Sequence, residues 1–163
     1  AIGIDHYART DDSLFQAQQA GTMQRNFQGY TDDPSRTILG FGLSSITQFE
    51  GAYIQNTTDA PTYRKQIESG AFPITRYLEL TEDDLVRRAL IERLMCDFAL
   101  RFEDFETVNV PRAELSLLAQ DGIIEMDDDG LLITAAGKAF TRVVAACFDP
   151  YFNKDSGRHA KAI

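Results

Sequence analysis

Between residues 81 and 98, apolar side chains recur at every fourth position: Val86, Leu90, Leu94 and Phe98, with Ile91 and Met95 alongside. Residues at i and i+4 share one face of an α-helix, so this spacing predicts a helix with a continuous apolar stripe. Thr81-Glu-Asp-Asp84 gives it a capping-box-like start. A stripe of that length has to be buried, and the residues that follow offer partners for it. Pro111 opens a second helix to about Gln120, and Gly122 stops it. Ile123-Ile-Glu-Met126, the turn Asp127-Asp-Asp-Gly130 and Leu131-Leu-Ile-Thr134 read as a hairpin. Thr134 leads into a last helix, in which Phe140, Val143, Val144, Cys147, Phe148 and Tyr151 follow the i, i+3, i+4 pattern. Helix, helix, hairpin, helix is a winged-helix-like order. The tail from Asn153 is polar and is expected to be loose.

Charge argues against DNA as the partner of such a domain. Residues 81–150 hold seven Lys/Arg against fifteen Asp/Glu, a net −8, within a chain of net −9. A wing that meets a phosphate backbone needs Lys or Arg near its tip, and this tip carries Asp127, Asp128 and Asp129. The expected role is structural or lid-like, with no nucleic-acid partner. An acidic chain is also repelled by anionic membranes. No apolar run approaches the roughly 18 residues of a membrane span, and no basic-then-apolar signal opens the chain. A cytoplasmic protein without a membrane partner is expected. Cys96 and Cys147 both sit in apolar, helix-like stretches and read as reduced core thiols. A zinc site or disulfide framework needs more cysteines at closer spacing, so no metal site is expected in this chain.

The first third reads differently. Residues 2–7 (Ile-Gly-Ile-Asp-His-Tyr) have the pattern of a short buried strand. Asp11, Asp12 and Ser13 offer a cap for a helix from about 13 to 20, with Gly21 as its stop. In a βα unit, chemistry gathers at the C-terminal end of the strand, which makes Asp5 and His6 candidate site residues. Neighbours on a strand point to opposite faces, so these two are not expected to pair with each other. A sheet edge that begins at residue 2 needs neighbours, and the chain is therefore expected to be part of a longer protein. Asp32-Asp33-Pro34-Ser35 is a turn. Residues 38–46 read as a buried strand in which Gly40 and Gly42 mark close backbone approach. The pair is not a dinucleotide fingerprint. Residues 51–56 form another strand, and Asp59 caps a helix over 60–69 with Pro61 in its first turn and Gly70 after it. Tyr53, Tyr63 and Tyr77 read as packing residues.

The segment Arg25-Asn-Phe-Gln-Gly-Tyr30 puts a guanidinium, two amides and two aromatics beside a flexible Gly. An aromatic face stacks on a purine, an amide reads its edge, and Arg holds a carboxylate. On residues alone, a ligand-binding loop and a surface loop with a docked aromatic both stay open.

Taken in order, these segments resemble a known family. Ile4-Asp-His-Tyr-Ala-Arg9 with Asp11-Asp12, Arg25-Asn-Phe-Gln-Gly-Tyr-Thr31, Gly40-Phe-Gly-Leu-Ser-Ser-Ile46, Tyr53-Ile-Gln-Asn56, Asp83-Asp84, Arg87-Arg88, Leu94-Met-Cys96, Gly122-Ile-Ile-Glu, Ile133-Thr and Phe148-Asp149 are similar to the C-terminal part of the oxygen-independent coproporphyrinogen III oxidases. These are radical S-adenosylmethionine (SAM) enzymes. The related haem-chaperone-like radical SAM proteins have a His-Asn…Tyr-Trp pattern at the second segment, and this chain has no Trp.

The resemblance implies a mixed α+β fold: the last βα unit and edge strands of a partial radical SAM α/β barrel, then a mainly helical, winged-helix-like C-terminal domain. The implied division is 1–57 for the barrel end and second-SAM wall, 58–80 for a linker helix and connection, 81–152 for the C-terminal domain and 153–163 for the tail. It implies an oxidoreductase of anaerobic haem (porphyrin) biosynthesis that turns coproporphyrinogen III into protoporphyrinogen IX. SAM cleavage at a [4Fe–4S] cluster gives a radical that takes hydrogen from a propionate β-carbon, and loss of CO₂ and one electron leaves a vinyl group. Phe27, Gln28 and Ile46 are implied to line a second SAM, while Asp5, His6, Arg25 and Tyr30 are candidates for substrate or site support on the reading of their own segments. Arg9, Arg25 and Arg36 flank the motif region and are candidates to meet the propionates. The implied partners are coproporphyrinogen III and an electron-donor protein, with the enzyme a monomer. The cluster-binding Cys-x₃-Cys-x₂-Cys motif does not occur in this chain, so the chain alone is expected to be inactive. The stretch from Phe98 to Leu115 is also shorter than the family's. Two other readings compete: a haem-carrying radical SAM protein, and an acidic winged-helix interaction module without catalysis.

Overall fold

The computed structural model describes residues 2–152, so the tail expected from Asn153 lies outside the described residues. In chain order the elements are α1 (Ser13–Gln19), β1 (Gln24–Asn26), β2 (Gly29–Thr31), β3 (Ile46–Gln48), β4 (Ala52–Asn56), α2 (Ala60–Glu68) and β5 (Ile74–Glu79). The second half contains α3 (Glu82–Asp97), β6 (Ala99–Arg101), α4 (Arg112–Gln120), β7 (Ile124–Met126), β8 (Gly130–Ile133) and α5 (Thr141–Ala146). The class is mixed α+β. The strands form a hairpin and two open three-stranded sheets, with no closed barrel among the described residues.

The four-residue apolar spacing becomes α3, and the capping box forms as expected. Thr81 Oγ1 accepts the Asp84 N–H at 3.2 Å, and Asp84 Oδ2 accepts the Thr81 N–H at 2.9 Å. Leu90, Leu94 and Phe98 enter the main core, where they join Leu115, Ile124 and Phe148 from α4, β7 and the turn after α5. Each such side chain contributes on the order of 1.5–3 kcal/mol by leaving water. Cys96 turns the other way and closes a second cluster with Ile2, Ala17 and Met23. α3 is thus the spine between two cores. Phe98 ends it in the left-handed region (φ +59°), a costly conformation for a non-Gly residue, held here by burial of its ring.

The second half has the expected second helix and hairpin. The last helix, expected from Thr134 with a pattern running to Tyr151, is instead the six-residue α5, with Phe140, Val143 and Tyr151 exposed. There is also a strand that the pattern did not disclose. β6 pairs with β8 to give the antiparallel order β6-β8-β7. Three residues directly after a helix are too few to display an alternating pattern.

Two expectations in the first half need correction. Residues 2–7 are not a strand. The Ile2 N–H donates to His6 O at 2.9 Å, so the segment curls into a turn. A lone strand leaves its N–H and C=O groups unpaired, and among the described residues none lies alongside to pair with it. Residues 38–46 are not a buried strand either. Ile38 makes one bridge to Gln48, while Gly42 (φ +100°) and Ser44 (φ +60°) turn the chain, leaving Leu39, Phe41 and Leu43 exposed. Pairing starts at Ile46, where β3, β4 and β5 form an antiparallel meander. β5 lies within the stretch expected to be a helix and connection. No helix among the described residues is long and apolar enough to cross a membrane.

Candidate functional site

The segment Arg25–Tyr30 is a tight hairpin. Asn26 faces Gly29, which leaves Phe27 and Gln28 as a two-residue loop. Asn26 Oδ1 accepts the Gln28 N–H at 2.8 Å, and Gly29 takes the positive φ (+139°) that lets β2 leave the turn. The turn places Phe27 at a tip. Its ring is 53% exposed, although it belongs to the most apolar class of side chain. It meets Tyr53 on β4 edge to face, with centroids 4.9 Å apart.

Two cavities meet at this contact. One, of about 490 Å³, is lined by Phe27, Ile46, Tyr53, Gln55, Arg76 and Leu78, among others. The other, of about 560 Å³, lies between the hairpin and α3, with Arg25, Phe27, Tyr53, Arg88, Glu92 and Tyr151 among its walls. Phe27, Tyr53 and Leu78 belong to both. Phe27 and Ile46 are therefore brought to one cavity, whereas Gln28, next to the tip, lines neither.

The other candidates form a separate cluster. Contrary to expectation, Asp5 and His6 do pair, with His6 Nδ1 2.8 Å from Asp5 Oδ1. The strand rule of opposite faces does not apply to a turn. This hydrogen bond is the main reason the Asp5 carboxyl sits below its ordinary pKa. Arg142 Nη2 is 3.5 Å from the same carboxylate. The His6 ring packs edge to face on Tyr30 at 5.0 Å, and the Arg25 guanidinium lies 5.6 Å from the Tyr30 ring centre. Tyr30 Oη donates to Met95 O at 3.0 Å, which fastens the hairpin to α3, and burial raises the phenol's pKa. Asp5, His6 and Tyr30 line neither cavity, while Arg25 reaches the one beside α3.

Of the arginines expected near propionates, Arg36 lines the cavity beside α3 and lies 3.4 Å from Glu92 Oε2. Arg9 pairs with Asp11 at 3.0 Å and lines neither cavity. Tyr53, expected as a packing residue, and Arg88, expected only as part of the helical C-terminal domain, are wall residues that the sequence did not single out. Tyr53 sits in the Tyr53–Asn56 segment already quoted, but its facing both cavities depends on pairing with distant strands. Burial pushes the Cys96 thiol up to about 12. Among the described residues no group of three or more His, Cys, Asp or Glu is placed to hold a metal.

No protein-family model matches the chain. It is 40% identical over 159 residues to an oxygen-independent coproporphyrinogen III oxidase of Pseudomonas aeruginosa, covering 92% of this chain and 35% of the relative. It is 42% identical over 158 residues to the protein of that name from Cereibacter sphaeroides, with the same coverage. A solved Escherichia coli structure, described as coproporphyrinogen III oxidase and as a radical SAM enzyme, superposes with a TM-score of 0.85 at 36% identity. It covers 93% of this chain and 37% of that one. The chain thus spans about a third of the length of its relatives. By sequence and by fold it belongs with a family that includes a radical SAM enzyme. The family is that of the oxygen-independent coproporphyrinogen III oxidases, and the chain matches their C-terminal part.

Proposed function

We propose that this chain forms the second-SAM wall and C-terminal domain of an enzyme that oxidatively decarboxylates coproporphyrinogen III to protoporphyrinogen IX in anaerobic haem biosynthesis. The observation that carries the reading is Phe27: an aromatic residue held half-exposed at a hairpin tip, in the lining of a cavity that Ile46 also lines. A half-exposed aromatic that shares a cavity with an aliphatic side chain fits an adenine ring, which stacks on one and rests on the other. Tyr53 braces Phe27 from the side, and Gln28, beside the tip but outside the lining of both cavities, reaches the purine edge only by turning its side chain inward. These residues bind and orient the adenosyl group and keep water from it. Reductive cleavage of SAM at the [4Fe–4S] cluster supplies the organic radical, and the cluster ligands belong outside this chain. Asp5, His6 and Tyr30 serve as support beneath the hairpin, while Arg25 faces the cavity beside α3 as a substrate contact.

On this reading residues 1–57 close a partial radical SAM α/β barrel. Residues 58–80 connect it, by way of α2 and β5, to a winged-helix-like domain over 81–152. The intact protein works in the cytoplasm as a monomer, reduced by an electron-donor protein, and the present chain alone does not turn over. The test uses the intact protein with its cluster reconstituted, counting bound SAM and CO₂ released from coproporphyrinogen III. Two SAM equivalents and CO₂ release are expected, with one equivalent and little CO₂ after Phe27→Ala or Ile46→Ala. Full occupancy and turnover in both variants would sink the proposal. A haem absorbance band without CO₂ release would select the haem-carrying alternative.

A further inference from the structure

From the cavity between the hairpin and α3 we infer that Arg25 and Arg88 form a carboxylate clamp for a propionate of the tetrapyrrole, one shared wall away from the adenosyl cavity. The inference rests on the proposed function and adds to it where the substrate's acid groups sit. Four arginines and three carboxylates line this cavity. Most are already engaged. Arg87 Nε lies 2.6 Å from Asp83 Oδ2, and its Nη1 donates to Phe148 O at 3.0 Å. Arg36 and Glu92 face each other. Asp84 is the N3 residue of the capping box, and Asp149 accepts the Tyr151 N–H at 2.9 Å. Two guanidiniums remain. Arg88 and Arg25 have no carboxylate partner among the described residues; Arg88 Nη1 lies 3.5 Å from Tyr53 Oη, and Arg25 Nε is sealed from solvent without a hydrogen-bond partner.

An unpaired buried donor on a permanently charged group is costly, and a carboxylate in its plane relieves that cost with paired, charge-assisted bonds. Both cations come from one place. Glu92, one turn after Arg88 on α3, accepts the Arg25 N–H at 3.0 Å, so β1 and this turn of α3 present their arginines to the same space. Tyr53, beside Arg88, also touches Phe27, and Phe27, Tyr53 and Leu78 line both cavities. An acid group held by Arg88 therefore lies across a single layer of side chains from the adenosyl cavity.

The test uses the intact protein with its cluster, and two probes: coproporphyrin III, the unreactive oxidised tetracarboxylate, and its tetramethyl ester. Affinity is read by fluorescence titration and SAM stoichiometry by equilibrium dialysis. The wild type is expected to prefer the acid. Arg88→Gln and Arg25→Gln are each expected to weaken acid binding about tenfold or more, the loss of one hydrogen bond to a charged group. Ester affinity and both SAM equivalents stay unchanged. Arg88→Lys, which keeps the charge and the methylene stem, falls between, and an unshifted Tm excludes misfolding. Arg64→Gln, on α2 away from both cavities, changes nothing. Acid affinity within twofold of wild type in both Gln variants, with SAM binding intact, overturns the clamp and leaves the functional proposal standing. Equal weakening of acid and ester overturns it too, because ring packing would then be the cause. Loss of one SAM equivalent with tetrapyrrole affinity kept would assign the arginines to the methionyl carboxylate, against the clamp. A wild type that binds neither two SAM nor the tetrapyrrole would fail the functional proposal itself.

Discussion

The rings of Phe27 and Tyr53 meet edge to face, 4.9 Å between centroids and 77° between planes. One comes from a hairpin tip and the other from the middle strand of a separate sheet, so the contact fixes the hairpin against the wall of both cavities. Aromatic pairs of this geometry are worth about 0.5–1.5 kcal/mol beyond buried area. A double-mutant cycle with Phe27→Ala and Tyr53→Ala, read on SAM affinity at the second site of the intact protein, should give a coupling energy in that range. Effects that add to within about 0.3 kcal/mol would mean that the two rings act independently.

The start of α3 is set by Thr81, whose Oγ1 accepts the Asp84 N–H. Thr81→Ala removes that acceptor and should cost about 1 kcal/mol in denaturant unfolding, whereas Thr81→Ser should recover most of it. An unchanged midpoint in Thr81→Ala would show that packing alone positions the helix.

Asp84 answers from the other side of the same cap. The Thr81 N–H and hydroxyl hold its carboxyl below the ordinary value of 3.8. A depressed folded-state pKa stabilises the fold at pH above the unfolded value, and the contribution fades as pH falls through the folded one. Asp84→Asn should therefore flatten the loss of stability on acidification below 3.8 relative to wild type. Thermal melts across that range would show it, and parallel curves would refute it.

Helices were legible in this sequence wherever periodicity and caps agreed. Asp12, Asp59 and Thr81 each accept a backbone N–H at the helix start expected of them. The short strands were not legible. β1 and β2 have three residues each around Phe27-Gln28, without the Asn-Gly or Asp-Gly that announces a two-residue turn. Reading 38–46 as buried failed because apolar composition cannot foresee a positive φ at Ser44. Phe27 and Ile46 came from motif resemblance, and the fold brings them to one cavity. Arg88 as a cavity residue needed tertiary structure, because its relation to Tyr53 spans 35 positions.

Cys96 lies in the second core, on the side of α3 turned away from the main one, and is 1% exposed. Its thiol is pushed up to about 12, chiefly by burial. Only the thiolate reacts with alkylating reagents, so Cys96 should resist iodoacetamide at pH 8 in the folded protein. Peptide mapping after labelling should find it modified only when urea is added, at a rate that tracks unfolding. Rapid labelling of Cys96 without denaturant would contradict its placement.

Gly40 stands where the 38–46 loop crosses back over β3. A Cβ there would lie 2.6 Å from Ile46 O and 2.7 Å from Ile46 C, and the Gly40 N–H donates to Thr47 Oγ1 at 3.0 Å. The obstruction is backbone, which cannot swing aside as a side chain does, so Gly40→Ala must displace either the loop or the start of β3. Either shift moves Ile46, and overpacking of this kind costs about 1–3 kcal/mol. Gly40→Ala should lower both stability and second-site SAM affinity. Gly51→Ala, whose Cβ would meet nothing within 4 Å, should change neither. Stability lost with SAM affinity kept would mean that Ile46 lies outside the adenosyl contact, and the cavity assignment would then rest on Phe27 alone.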